Sequence, residues 1–146
     1  MAPFFVMLGV WAVVRGVGLW AGIGELNDWS GSARVAVAVT FLMTGVMHFT
    51  KMRNDFARMV PRWFVEPMAI VYFTGLCEIL GAVGILVPGT RRVAGICLAI
   101  LLVVLLPGNV RAAREGLRLG DRAPTPLTQR ILMQVVLVVV VLWATR

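Results

Sequence analysis

An all-α polytopic membrane bundle with five transmembrane helices is the fold class that this 146-residue sequence predicts, and three observations carry it. Hydrophobic residues make up 60% of the chain and charged ones 14%, with a mean hydropathy of +0.89, far outside the range of soluble domains. The apolar residues fall into five runs, each near the ~20 residues a helix needs to cross the hydrocarbon core. The basic residues gather in the connections between those runs. Five spans consume most of the length, so residues 1–146 are expected to form a single membrane domain with no separate soluble part.

The elements follow in order. The first run, 3–23, is interrupted by Arg15; it is too long for a cleaved signal peptide and lacks the basic start of one. A polar hinge, GELNDWSGS, leads to the second span, 33–49. Over 52–64 the pattern changes: Met52, Phe56, Met59, Val60, Trp63 and Phe64 recur at helical spacing among Arg53, Arg58 and Arg62, with Pro61 as a break, which predicts a short interfacial amphipathic segment. The third span covers 67–87 and ends at the tight connection PGTRR. The fourth, 93–110, carries Pro107 near its end, and a turn-rich linker, REGLRLGDRAPTPLTQ, precedes the fifth, 131–144. No internal repeat stands out.

Charge sets the expected topology. Lys51, Arg53, Arg58 and Arg62, with Arg111, Arg114, Arg118, Arg122 and Arg130, put nine basic residues on one side; Arg34, Arg91, Arg92 and Arg146 put four on the other. The nine belong in the cytoplasm by the positive-inside rule, giving an N-inside, C-outside protein of a cytoplasmic (plasma) membrane. The net charge of +7 is explained by topology and anionic lipid head groups, so nucleic acid is not expected as a partner and membrane lipids are.

A carboxylate inside a span is costly and needs a partner, a proton or a wet cavity, which singles out Glu78. Arg15 lies twelve residues from Pro3 and Glu78 twelve from Glu66, so each is expected roughly 18 Å from the same side at 1.5 Å per residue. A charge pair at one level would account for both. The plainer alternative is a protonated Glu78 bonded to Thr74 or a backbone carbonyl, with Arg15 snorkelling on its own. A second polar layer is expected from His48, Asn109 and Gln134 around Pro107, whose missing N–H frees a carbonyl one turn earlier. For a single histidine at a helix end, interfacial hydrogen bonding is a commoner role than catalysis.

Gly18 and Gly22, at G-x-x-x-G spacing, with Gly45, Gly75, Gly81 and Gly84, read as close helix packing. Cys77 and Cys97 lie in apolar runs without C-x-x-C spacing and read as buried free thiols. The chain has one histidine, no multi-histidine metal site and none of the H-E-x-x-H, Walker A or dinucleotide glycine patterns. No catalytic motif is present.

Four stretches taken together, FLMTGVMHF, MVPRWFVEP, TGLCEILGAVGILVPGTRRVAG and LLPGNVRAA, resemble the DoxX-like family of small bacterial integral membrane proteins over about residues 33–145. The family pattern falls on Gly45, His48 and Phe49, on Pro61 and the Pro67 region, on Thr74, Gly75, Glu78 and Gly81, and on Pro107 and Asn109, with Gly108 where alanine is more usual. The resemblance implies a four-helix core with the first run as an N-terminal addition; the thiosulfate:quinone oxidoreductase link behind the family name does not carry over. Two functions are then open. One is a membrane scaffold or accessory subunit, with other membrane or redox subunits as partners, in which buried polar groups set helix register. The other is a redox-linked protein whose Arg15, His48, Glu78 and Asn109 line a pocket for a quinone-like cofactor or other small lipid-soluble molecule. Space discriminates them: a cavity between those side chains favours the pocket and closed contacts favour the scaffold.

Overall fold

The structure, a computed structural model, describes residues 2–120 and 124–146, so Arg122 lies outside the described residues. All of its elements are helices: α1 (Ala2–Ala21), α2 (Gly24–Asn27), α3 (Trp29–Met47), α4 (Arg53–Met59), α5 (Pro67–Gly84), α6 (Arg91–Val104), α7 (Leu106–Arg114) and α8 (Leu127–Ala144). Five stretches are long and apolar enough to cross a membrane: Pro3–Ala21, α3, α5, the continuous α6 and α7, and α8.

Helices α3, α5, α6 and α8 close a ring in which each packs on the next and α8 returns to α3, while α1 lies outside, against α3 and α2. The helices alternate in direction. The interior is built from small residues, including Ala36, Ala38 and Ala82, around Val37, Phe41, Ile85, Leu98, Leu102 and Val141, with Met7 reaching in from α1. Large apolar side chains such as Trp20, Phe73, Leu80, Val104 and Leu132 point outward. The alanines at the crossings and the large side chains outside suit a medium in which close backbone approach, not exclusion of apolar groups from water, draws helices together.

Local chemistry explains where the element boundaries depart from the hydropathy runs. Span two begins at Trp29, four residues before the expected Ala33, because the Asp28 carboxylate accepts the Ser30 and Gly31 amides and caps α3 from within the polar hinge. The same hinge winds into α2, and Gly22, at φ +66°, makes the turn that α1 needs to end there. Gly22 is therefore a turn residue and no part of a packing stripe, whereas Gly18 meets the Leu26 backbone closely. Span four is broken at Leu105, two residues before Pro107, which has no N–H for the preceding turn.

The two long connections meet at one end of the bundle. Asp55 on α4 accepts the Gly120 amide (2.7 Å) and pairs with Arg58, Arg62 reaches Glu115 (3.5 Å), and Arg111 donates both to Glu115 (3.1 Å) and to the Val60 carbonyl. Arg34, Arg91, Arg92 and Arg146 stand at the opposite end, where Arg34 Nε donates to Ala144 O (3.1 Å). Both cysteines are free, but neither is buried as expected: Cys77 is half-buried and Cys97 faces outward.

Candidate functional site

A close helix crossing is built by two short, similar sequences on antiparallel helices: Thr44-Gly45-x-x-His48 at the end of α3 and Thr74-Gly75-x-x-Glu78 on α5. The two glycines face each other. A Cβ on Gly45 would lie 2.9 Å from Gly75 O and 3.2 Å from Glu78 Cβ, and a Cβ on Gly75 would lie 3.1 Å from Gly45 O and 2.5 Å from His48 Cβ. Each glycine thus makes room for the residue three places beyond the other, in a local two-fold arrangement. Only hydrogen at both positions permits it.

This packing buries both titratable side chains, His48 to 7% and Glu78 to 5% exposure, and Thr44 links them. The Thr44 hydroxyl lies 2.5 Å from Glu78 Oε2 and 3.3 Å from Phe41 O, and the Thr44 carbonyl lies 2.8 Å from His48 Nδ1. A carbonyl only accepts, so Nδ1 carries the proton. The His48 ring is held from its other side by stacking on Phe56 of α4, with centroids 4.5 Å apart. A hydroxyl has one proton and two lone pairs, so Thr44 can donate to an ionised Glu78, or accept from a protonated one while donating to Phe41 O. Rotation of that hydroxyl therefore accommodates either protonation state of Glu78. Among the described residues no cation forms an ion pair with it.

The expected Arg15–Glu78 pair does not form. Arg15 Nη1 donates to the Asn27 side-chain oxygen (2.7 Å) and to the Asn27 carbonyl, and its guanidinium carbon sits 4.8 Å from the centre of the Trp29 ring. Trp29 and Thr44, which mark the two partners' levels, are about 15 residues apart on α3, or roughly 22 Å of rise. The depth comparison assumed that α1 and α5 start in one plane. They do not: the Trp11–Ser32 bond (3.0 Å) sets α1 toward the beginning of α3, while Gly45 and Gly75 set α5 toward its end. Thr74 is not Glu78's partner either, since its hydroxyl bonds Ile70 O and Val71 O of its own helix (2.9 and 3.0 Å).

The second polar layer forms without His48. Asn109 Nδ2 donates to Gln134 Oε1 (2.8 Å), and Gln134 Nε2 donates to Leu102 O in the turn opened before Pro107. Arg130, held by Thr125 O (3.1 Å), closes the chain by donating to Asn109 Oδ1 (3.3 Å). A neighbouring helix thus supplies a donor to the turn before Pro107, at Leu102 O, one residue short of the Val103 carbonyl that the proline itself leaves without an N–H.

Sequence reasoning missed Thr44, Asn27 and Arg130. Thr44 stood in plain sight one turn before His48, and its signal was the T-G pair repeated before Glu78. Among the described residues no cluster of three or more metal-ligating side chains occurs. Two outward grooves, one lined by Arg92, Ile96, Leu142, Thr145 and Arg146 and one by Val103, Leu106, Ile131, Gln134, Val135, Val138 and Val139, include neither His48 nor Glu78.

An all-helical bundle with five helices able to span a membrane, and a buried polar crossing between two of them, is the class that fold and site define, consistent with a multi-pass membrane protein. The chain belongs to the family described as Domain of unknown function (DUF8561), whose model matches residues 37–146 and so covers most of the four-helix ring and leaves out α1. Searches of the curated proteins and of the solved structures found no match.

Proposed function

We propose that this protein is a DoxX-like scaffold or accessory subunit of the bacterial cytoplasmic membrane, in which the polar crossing fixes helix register and presents the bundle to another membrane or redox subunit. One observation carries the reading: His48, Thr44 and Glu78 are engaged with one another across a glycine–glycine contact, in place of facing a shared cavity. Buried polar groups arranged this way specify one alignment of two helices, since sliding either helix would leave a polar atom unpaired in an apolar medium. The four-helix ring with α1 outside it supports a DoxX-like core with an N-terminal addition. The exposed Trp63, Phe64 and Val65 beside the basic α4 support an interfacial amphipathic segment there. The basic connections at the α4 end support a cytoplasmic position for it.

The test is the bound content of the protein purified from native membranes in mild detergent. A scaffold copurifies with a membrane protein at fixed ratio, and its organic extract holds only phospholipid. A quinone-like compound at one per chain, lost in Glu78→Gln or His48→Phe, would replace this reading with the ligand-binding one.

A further inference from the structure

At the end of the bundle opposite α4, four arginines gather around the start of α6. Arg34 is held by Ala144 O, and Arg91 is near enough to repel it. Arg91 Nε is shielded and has no partner among the described residues. Arg92 and Arg146 flank an outward groove of about 200 Å³ floored by Ile96, Leu142 and Thr145. The groove's shape follows from Gly95, where any Cβ would collide with Thr145 and push α8 away from α6.

Two further features bear on what fits. The residue before α6, Thr90, turns its hydroxyl to Gly84 O (2.8 Å), so no side chain caps the first amides of α6. The acidic groups whose field reaches Arg34 are Glu25 and Asp28; Asp28 is engaged by Ser30 and Gly31, and no ion pair to Arg91, Arg92 or Arg146 forms among the described residues. Arg92 stands one turn outside Ile96 on α6, and Arg146 four residues beyond Leu142 at the end of α8. The charges therefore sit further out than the apolar floor, Arg92 by about 6 Å along α6 and Arg146 past the end of α8. Charge above and hydrocarbon below, on a surface turned away from the bundle, is the profile of a lipid molecule at the edge of a bilayer.

We propose that this groove binds one anionic phospholipid, with its phosphate between Arg92 and Arg146 at the uncapped start of α6 and an acyl chain along Ile96 and Leu142. A zwitterionic lipid brings a cation of its own to the same guanidinium groups and binds more weakly. Arg34 and Arg91 add to the positive field at the site without needing to touch the lipid.

Native mass spectrometry of the full chain, titrated with phosphatidylglycerol or phosphatidylcholine of matched acyl chains, tests this. One phosphatidylglycerol per chain is retained at about tenfold lower concentration than phosphatidylcholine, and Arg92→Gln and Arg146→Gln each weaken retention about fivefold. Both arginines are exposed, so these variants keep the wild-type fold. Leu142→Trp, which obstructs the groove at constant charge, also loses retention, and inorganic phosphate does not displace the lipid. Equal retention of the two lipids would overturn the proposal. So would an equal loss in Arg62→Gln/Arg118→Gln at the opposite end, or displacement by phosphate with Leu142→Trp unaffected, which would mark a plain anion site.

Discussion

Arg15 and Glu78 each solve the problem of a polar group within an apolar run, and they solve it separately. Arg15 finds the backbone and amide of Asn27 with the face of Trp29; Glu78 finds the Thr44 hydroxyl. Sites with no shared partner at this separation contribute additively within about 0.5 kcal/mol. Thermal unfolding in detergent of Arg15→Leu, Glu78→Gln and the double variant is expected to show that additivity. A coupling well above that value would restore the ion pair that equal residue counts suggest. Hydropathy marks both residues as exceptional because a charge in an apolar run is rare; it carries no information on how far α1 and α5 are offset along α3, so it cannot decide whether the two meet. Thr44 escaped notice for the opposite reason. Threonine is common in spans, and only its place one turn before His48 and beside Gly45 gives it a role.

At the scale of elements, glycines divide by what lies opposite them. Gly75→Ala must move the His48 ring and Gly45→Ala must move the Gly75 backbone and Ile79, so each is expected to cost about 1–3 kcal/mol of stability, as overpacking does. Gly9→Ala and Gly16→Ala on α1 meet nothing within 4 Å and are expected to stay within about 0.5 kcal/mol of wild type in the same melts. The α3 cap adds a pH dependence. The Ser30 hydroxyl, and after it the Gly31 amide, hold the Asp28 carboxyl below its ordinary value of 3.8. A depressed folded-state value means that the stabilisation is complete above the ordinary value and is lost as pH falls through the lower, folded one. Asp28→Asn keeps a capping oxygen without the titration, so its melting temperature is expected to fall less than that of wild type between about pH 5 and about pH 2. The positions of the spans were legible from hydropathy, since apolar length is what a bilayer demands. Their ends were not, because capping by Asp28 and the break before Pro107 depend on single side chains and not on averages.

For the whole molecule, the four-helix ring and the outlying α1 follow from small residues placed where helices cross and large ones placed outside. The two long connections, far apart in sequence, are tied at one end by Asp55, Arg62, Arg111 and Glu115, so they share a side whatever the orientation. In a Cys77→Ala/Cys97→Ala background, Arg118→Cys is expected to resist a membrane-impermeant thiol reagent in intact spheroplasts and to react after lysis; labelling before lysis would invert the orientation. The central claim is that Thr44 and Glu78 lock α3 to α5, and a double-mutant cycle of Thr44→Val and Glu78→Leu in detergent unfolding tests it most directly. A coupling of about 1 kcal/mol or more is expected, the double variant losing less than the sum of the singles, because Thr44→Val alone leaves a buried carboxyl without its partner. Additive losses, within about 0.5 kcal/mol, would contradict it.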